Sequence, residues 1–399
     1  MTDTRFLQFH TLTPYAAALL NRDDAGAAKR LPFGGSVRTR VSSQCLKRHW
    51  RRADHTWALC AFEPGLSLRS RRIFSEKIAA PLVAEGFAAD RVIMVVAALQ
   101  GLLLGESPKM KKEKKEKKDK GSETPLSLDV LETKQVIVLG EPEVDYLRNA
   151  ARTLLEQNAD TGDLGKTVNG KEWSKNNKAN MAALAKGAGI DAALFGRMVT
   201  SDHLARCDAA IHVAHAFTVH AQELENDYFS VVDDLVQESG ETGSGHINTA
   251  ELTSGLFYSY VAVDVPLLVA NLGDDKALAG QVIERLVHTI ATVSPGAKLG
   301  STAPHAYALL MLAEAGSRTP RSLANAWLKP VSLRSSQDVA TQAVRQLTDH
   351  VTALDAMYGG GDERCVASVL DGCEGLGSRR ALADLAGWAG KKVAGGGVG

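Results

Sequence analysis

The first apolar pattern along the chain alternates. In Arg5-Phe6-Leu7-Gln8-Phe9-His10-Thr11-Leu12, residues Phe6, Gln8, His10 and Leu12 share one face and Leu7, Phe9 and Thr11 the other, which is the period of a β-strand. Turn-forming residues follow at Asn21-Arg22-Asp23-Asp24 and at Phe33-Gly34-Gly35, where paired glycines would let a backbone or a phosphate approach closely; this stretch is expected to be a contact loop. The period then becomes 3.6. Ser42-Ser43 supplies an N-cap for a helix starting near Gln44, with Leu46, Trp50, Ala53 and Trp57 in a narrow stripe and Lys47, Arg48, Arg51, Arg52 and His55 opposite.

Residues 61 to about 200 read as mostly helical, with apolar helices near Arg91 to Leu104 and Glu143 to Asn158. Between them Lys109 to Lys120 holds eight lysines and three acids in twelve residues and cannot bury a core face. Strand patterns return at Asp208 to His220 and Leu256 to Val265, separated by Tyr228-Phe229-Ser230-Val231-Val232 and a glycine-rich tip at Gly240 to Gly245, the pattern of a protruding hairpin. Helices are expected over Lys276 to Val293, Ser336 to Tyr358 and Ser378 to Lys391. Strands interleaved with helices and long insertions predict an α+β fold, not a doubly wound sheet.

The 399 residues are 45% hydrophobic, enough for a sizeable core. No basic, apolar leader or membrane-length apolar run is read in them, and the five scattered cysteines form no CxxC pair, so a cytoplasmic protein with no membrane partner is expected. Net charge is zero but unevenly spread: residues 1 to 72 carry thirteen Lys/Arg against five Asp/Glu, while Cys207 to Asp275 carries no Lys or Arg and twelve acids. A basic surface attracts phosphates, and an acidic segment facing the next copy's basic one would give a head-to-tail contact.

Catalytic chemistry finds little support in the motifs. Gly165-Lys166-Thr167 resembles the end of a phosphate-binding loop, but its first glycine position is Asp160. His212, His215 and His220 are spaced wrongly for one strand face to hold a metal. Asp23 and Asp24 in a basic loop leave open a metal-dependent RNA endonuclease, against which such acids commonly bind their own turn. The remaining pattern is one of binding, with cations for phosphates and the Tyr228 and Phe229 rings for unpaired bases. No catalytic residue, metal or cofactor is expected.

Leu20-Asn21-Arg22-Asp23-Asp24, Phe33-Gly34-Gly35 and Arg38-Thr39-Arg40-Val41-Ser42-Ser43-Gln44-Cys45-Leu46-Lys47-Arg48 together resemble the N-terminal signature of the CasC family, the backbone subunit of type I-E CRISPR Cascade. Further matches follow in order at Gly196 to Ser201, Ala214-His215-Ala216, Val232 to Leu235, Ser254 to Tyr258 and Pro295 to Lys298. The resemblance implies a ferredoxin-like, RRM-like palm (residues 1–60 and 197–399), a helical fingers insertion (61–196) and a thumb hairpin near 221–251. It implies RNA contacts from Asn21, Arg22, Lys29, Ser42, Gln44, Lys47, Arg48, Arg51 and Lys298, with Met198, Tyr228 and Phe229 wedging against bases. The implied partners are crRNA, the target DNA strand through the guide, further copies head to tail along a helical filament, and the large, small, 5′-handle-capping and repeat-processing Cascade subunits. The implied role is R-loop formation in antiviral defence, and a generic RRM-type module is the plainer alternative.

Overall fold

The computed structural model describes residues 4–62, 65–104, 127–157, 187–197, 207–232 and 244–395, with side chains unassigned over 229–232 and 244–248. Its chain divides into two compact units, Met1–Leu59 with Ile211–Pro266 and Asp275–Gly399, and Cys60–Ala210 with Leu267–Asp274. The fold is mixed α+β, with a ten-stranded sheet and ten α-helices among the described residues.

The first unit is built on β1 (Phe6–Ala18), whose residues 7 to 13 are buried on both faces. The hairpin β2 (Arg30–Phe33) and β3 (Ser36–Val41) follows. After the second unit, which contributes the small pair β4 (Leu68–Ser70) and β5 (Ile137–Leu139), come β6 (Ile211–Val213) and β7 (Ala216–Thr218). The chain then runs through β8 (Leu224–Val232), β9 (Ser244–Asp264), β10 (Leu310–Gly316), β11 (Glu363–Ser368) and β12 (Ser378–Arg379). The large sheet runs β12-β11-β10-β1-β9-β7-β3-β2, antiparallel except for β11 with β12, and β6 and β8 also pair with β9.

Both faces of this sheet are covered. Leu12, Leu256, Tyr258, Leu310 and Leu312 pack with Trp327 and with Ala343, Val344, Leu347 and Val351 of the Val339–Tyr358 helix. On the other face lie the Ser43–Arg52 and Lys276–Thr292 helices, whose Leu46, Trp50 and Ile290 enclose a small void with Thr11, Thr13 and Phe257. The Lys276–Thr292 helix also meets the Leu382–Ala394 helix where Gly280 and Gly390 each leave the space a Cβ would fill against the other's carbonyl oxygen. Polar groups inside the sheet are paired: Glu314 accepts from Arg364 Nε at 2.7 Å and Arg321 Nη2 at 3.3 Å, and lies 3.2 Å from His10 Nε2.

The strand β9 is 21 residues long and outruns β1. Among the described residues its Ser244–Leu252 stretch pairs with β8 alone, from Glu225↔Leu252 to Val232↔Ser244, forming a two-stranded ribbon about 30 Å long at ~3.4 Å per residue. This is the hairpin read from Tyr228 to Gly245; its tip lies outside the described residues.

Three local expectations change. Trp57 is not on the basic helix, which ends at Arg52 because Ala53 turns extended (ψ 137°); its ring stacks instead on His288 at 3.9 Å between centroids. Gly34 and Gly35, at φ 59° and 75°, form the tight two-residue turn between β2 and β3, and a Cβ on Gly34 would lie 1.6 Å from the Leu328 carbonyl oxygen. That glycine admits this chain's own backbone, not a phosphate. The C-terminal third also carries β10 and β11, two strands that periodicity did not flag.

The second unit packs Ile73, Phe74, Leu82, Val92, Val96, Leu99, Leu147, Leu154 and Leu155 among its Ala89–Leu104 and Glu141–Gln157 helices and the turns before them. Its buried acids are matched. Glu143 accepts from Arg197 Nη1 at 2.6 Å, and Asp191 from Ser67 N, Ser67 Oγ and Arg69 Nη2 at 2.7 to 2.8 Å. No helix among the described residues is long and apolar enough to cross a membrane.

Candidate nucleic-acid interface

The loop between β1 and β2 holds its own shape. Asp23 Oδ1 accepts the backbone N–H of Ala25 and of Ala27, both at 3.0 Å, around Gly26 at φ 87°. Lys29 N–H donates to Asn21 O at 2.9 Å and crosses the loop's ends. From the base of the ribbon, Glu251 accepts the Ala28 N–H at 2.6 Å and pairs with Arg30. Arg22, Asp24 and Lys29 project from this frame, and Asp23, Asp24, Lys29, Arg30 and Arg40 line an open depression beside it.

One hydrogen bond joins this loop to the basic helix: Asn21 Oδ1 accepts from Ser42 N–H at 2.9 Å. Ser42 is the N-cap, its Oγ accepting from Cys45 N–H, which fixes the first turn beside the loop. Leu46 and Trp50 are buried, so helical spacing turns Gln44 and Arg48 outward and leaves Lys47 and Arg51 half-exposed. Three basic residues in the last turn, His49, Arg51 and Arg52, suit the negative end of the helix dipole.

The cations are electrostatic neighbours. Burial pushes the Cys45 thiol up, while Lys29 on the loop and Arg48 on the helix pull it down. Burial lowers the His215 pKa, and Arg40 and Lys29 lower it further. Lys298 joins the group through the backbone, because the preceding Ala297 N–H donates to Leu19 O at 2.8 Å at the end of β1. The Lys298 carbonyl accepts from Thr302 Oγ1 at 2.7 Å in the short Leu299–Thr302 turn.

Arg22, Lys29, Gln44, Lys47, Arg48, Arg51 and Lys298 are thus brought to connected elements of the first unit. Asn21 and Ser42 commit their side-chain oxygens to the frame. Tyr228 stands apart on the ribbon, 64% exposed and opposite Thr249. Phe229 pairs with Asn248, but its side chain, like all of Met198 and the Lys109 to Lys120 run, lies outside the described residues. Of the three histidines, His212 is exposed on β6 and His215 meets Arg40. His220 is buried, its Nδ1 donating to Ala221 O and its Nε2 accepting from Leu256 N–H. No three His, Cys, Asp or Glu among the described residues converge as metal ligands.

Sequence reasoning missed Arg30 and Arg40 as members of this surface. Arg38, on the same face of β3 as Arg40, is instead fully buried, donating to the carbonyls of Thr218, His220 and Trp327. Burial lowers its pKa. Nothing in the alternation of β3 separates these two arginines; the covering Trp327 segment does.

No curated protein matches the chain. Its fold is similar to a chain of a solved structure titled "CRISPR RNA-guided surveillance complex, pre-nicking", at 26% identity and a TM-score of 0.73 over 96% of this chain and 100% of that one. A chain of a second CRISPR RNA-guided surveillance complex, 21% identical with a TM-score of 0.57 over 96% of this chain and 99% of that one, shares the fold. The model of the CT1975-like protein family matches residues 7–386. With nearly its whole length accounted for by that match, the chain belongs to the CT1975-like protein family.

Proposed function

We propose that this protein is the CasC-type backbone subunit of a type I-E Cascade complex. It binds crRNA without cutting it, polymerises head to tail along the guide, and presents the spacer for pairing with target DNA. The observation that carries this reading is the shared frame of the Asn21–Arg30 loop, the Ser43–Arg52 helix and Lys298, which gathers cations from separate parts of the sequence around one surface. Cations on a fixed frame grip phosphates whatever the base, leaving base edges free to read a target.

The order β10-β1-β9-β7, with the Ser43–Arg52 and Lys276–Thr292 helices on one face, supports an RRM-like βαββαβ palm. In this reading Cys60–Ala210 supplies the fingers and the β8–β9 ribbon the thumb. The opposite sheet face lies under the Val339–Tyr358 helix, with Tyr258 only 2% exposed, so bases have no access to stack there. That favours binding at loops and a helix edge over a generic RRM mode. Asp23 Oδ1 is held by two backbone N–H groups, which favours a structural role for this acid over cleavage.

The test is to co-express the tagged protein with a CRISPR array and companion subunits, purify the assembly, and sequence its RNA after light nuclease digestion. Intact spacer RNA with evenly spaced protection, weakened in a Lys47→Ala/Arg48→Ala/Arg51→Ala variant, is expected. Heterogeneous RNA without regular protection would refute the filament, and fragments cut at regular intervals would refute the non-cleaving role.

A further inference from the structure

We propose that Arg40 is a further phosphate-gripping residue of this surface and that His215 is the side chain that positions it. The inference rests on the guide-RNA reading above and adds residues that the resemblance did not assign. The pairing of β3 with β7, Arg40↔Phe217 and Val41↔Ala216, brings His215 beside Arg40 although 175 residues separate them in sequence. Arg40 is fixed on three sides: its backbone N–H donates to Lys29 O at 2.8 Å, its Nε to Arg30 O at 3.1 Å, and its Nη1 to His215 Nδ1 at 2.9 Å.

All three acceptors are uncharged. Arg364 and Arg197 are matched to carboxylates, and Arg38, held by carbonyls alone, is fully buried, whereas Arg40 is held by neutral acceptors and stays partly exposed. Among the described residues Arg40 has no ion pair and Nη2 no acceptor, so a held guanidinium keeps its charge and three N–H donors, two of them on Nη2, for an incoming anion. It lines the depression with Lys29 and Arg30, and the carboxylates of Asp23 and Asp24 lie in the same lining. Glu251 is engaged by Arg30 and by the Ala28 N–H.

The role of His215 follows from donor chemistry. Arginine only donates, so Nδ1 must carry a lone pair and the ring proton must sit on Nε2. A protonated imidazole could not accept this bond and would set a second cation against the first. Burial, Arg40 and Lys29 all hold the His215 pKa below its ordinary value, which keeps the ring an acceptor near neutral pH.

The test is a double-mutant cycle on the full chain, titrating a fluorescent single-stranded RNA of spacer length across a salt series for wild type, Arg40→Ala, His215→Ala and the double variant. Arg40→Ala should weaken binding and reduce the slope of log K against log salt by ~0.7, the value for one phosphate on a single strand. His215→Ala should weaken binding by a smaller factor and add nothing once Arg40 is gone. His215→Asn, which keeps an acceptor oxygen, should recover part of the loss, and Arg40→Lys, which keeps charge but not the two-bond fixation, should fall between wild type and alanine. An unchanged slope in Arg40→Ala, or a His215→Ala effect that persists in full without Arg40, overturns the inference. Arg48→Ala, run alongside, separates the two readings: if it lowers the slope and Arg40→Ala does not, only this inference fails, and if neither does, the RNA surface itself is misassigned.

Discussion

Replacing Glu314 with glutamine should destabilise the first unit at neutral pH and leave it nearly unaffected in strong acid. Glu314 is fully buried on β10. Burial alone would raise its pKa, but hydrogen bonding to His10 and Arg364 outweighs it and brings the value down to about 2 from 4.5. A group whose folded pKa is depressed stabilises the fold above its unfolded pKa and loses that contribution as pH falls through the folded one. At ~1.4 kcal/mol per unit, the difference is worth about 3 kcal/mol at pH 7, fading between about pH 4.5 and 2. The Gln variant keeps the volume but removes the charge facing Arg364, which then has Asp355 alone. The assay is urea unfolding of both proteins from pH 7 to pH 3, followed by tryptophan fluorescence; Trp50, Trp57, Trp327 and Trp388 all belong to the first unit. The stability gap should narrow with acid. Two pH profiles running parallel at constant separation would refute the electrostatic origin assigned to this network.

Gly34→Ala should cost clearly more stability than Gly35→Ala. Both sit at positive φ, worth ~1–2 kcal/mol each with a Cβ, but only Gly34 also meets a backbone atom; equal melting temperatures for the two variants would contradict the close approach to Leu328. Glu143→Ala should destabilise the second unit by ~3–5 kcal/mol, because it strips a buried guanidinium, Arg197, of its carboxylate; native-state hydrogen exchange of the Glu141–Gln157 helix would report it, and unchanged protection there would refute it. Tyr228→Ala should leave thermal unfolding unchanged, since the ring is 64% exposed, while altering the spacing of protected nucleotides; a marked fall in melting temperature would assign the ring to packing.

How much of this was legible depends on which force set each element. The β1 alternation and the stripes behind the Lys276–Thr292 and Val339–Tyr358 helices are local patterns, and the elements follow them. By contrast, Leu310–Gly316 reads Leu-Met-Leu-Ala-Glu-Ala-Gly, good helix formers up to the closing glycine, and becomes a strand because β1 on one side and β11 on the other satisfy its backbone. Glu314 sits in that strand, so its network was hidden for the same reason. Trp57 kept the helical spacing of Leu46 and Trp50, but the helix ends before it where Ala53 turns extended, and His288 offers the ring a stacking partner.

The candidate site was legible in residue type more than in role. A cluster of Asn, Arg, Asp, Lys, Ser and Gln signals polar recognition, yet one hydrogen bond between Asn21 and Ser42 decides which members build the frame and which face outward. Alternation gives Arg38 and Arg40 one shared direction along β3 and cannot say that three carbonyls close over the first while a neutral histidine holds the second. The deciding partners, Thr218, His220, Trp327 and His215, lie 175 to 289 residues away in sequence. A basic surface can therefore be anticipated from charge counts, but the arginine that remains free to meet an anion is selected by tertiary contacts, through the cost of burying a cation without a partner.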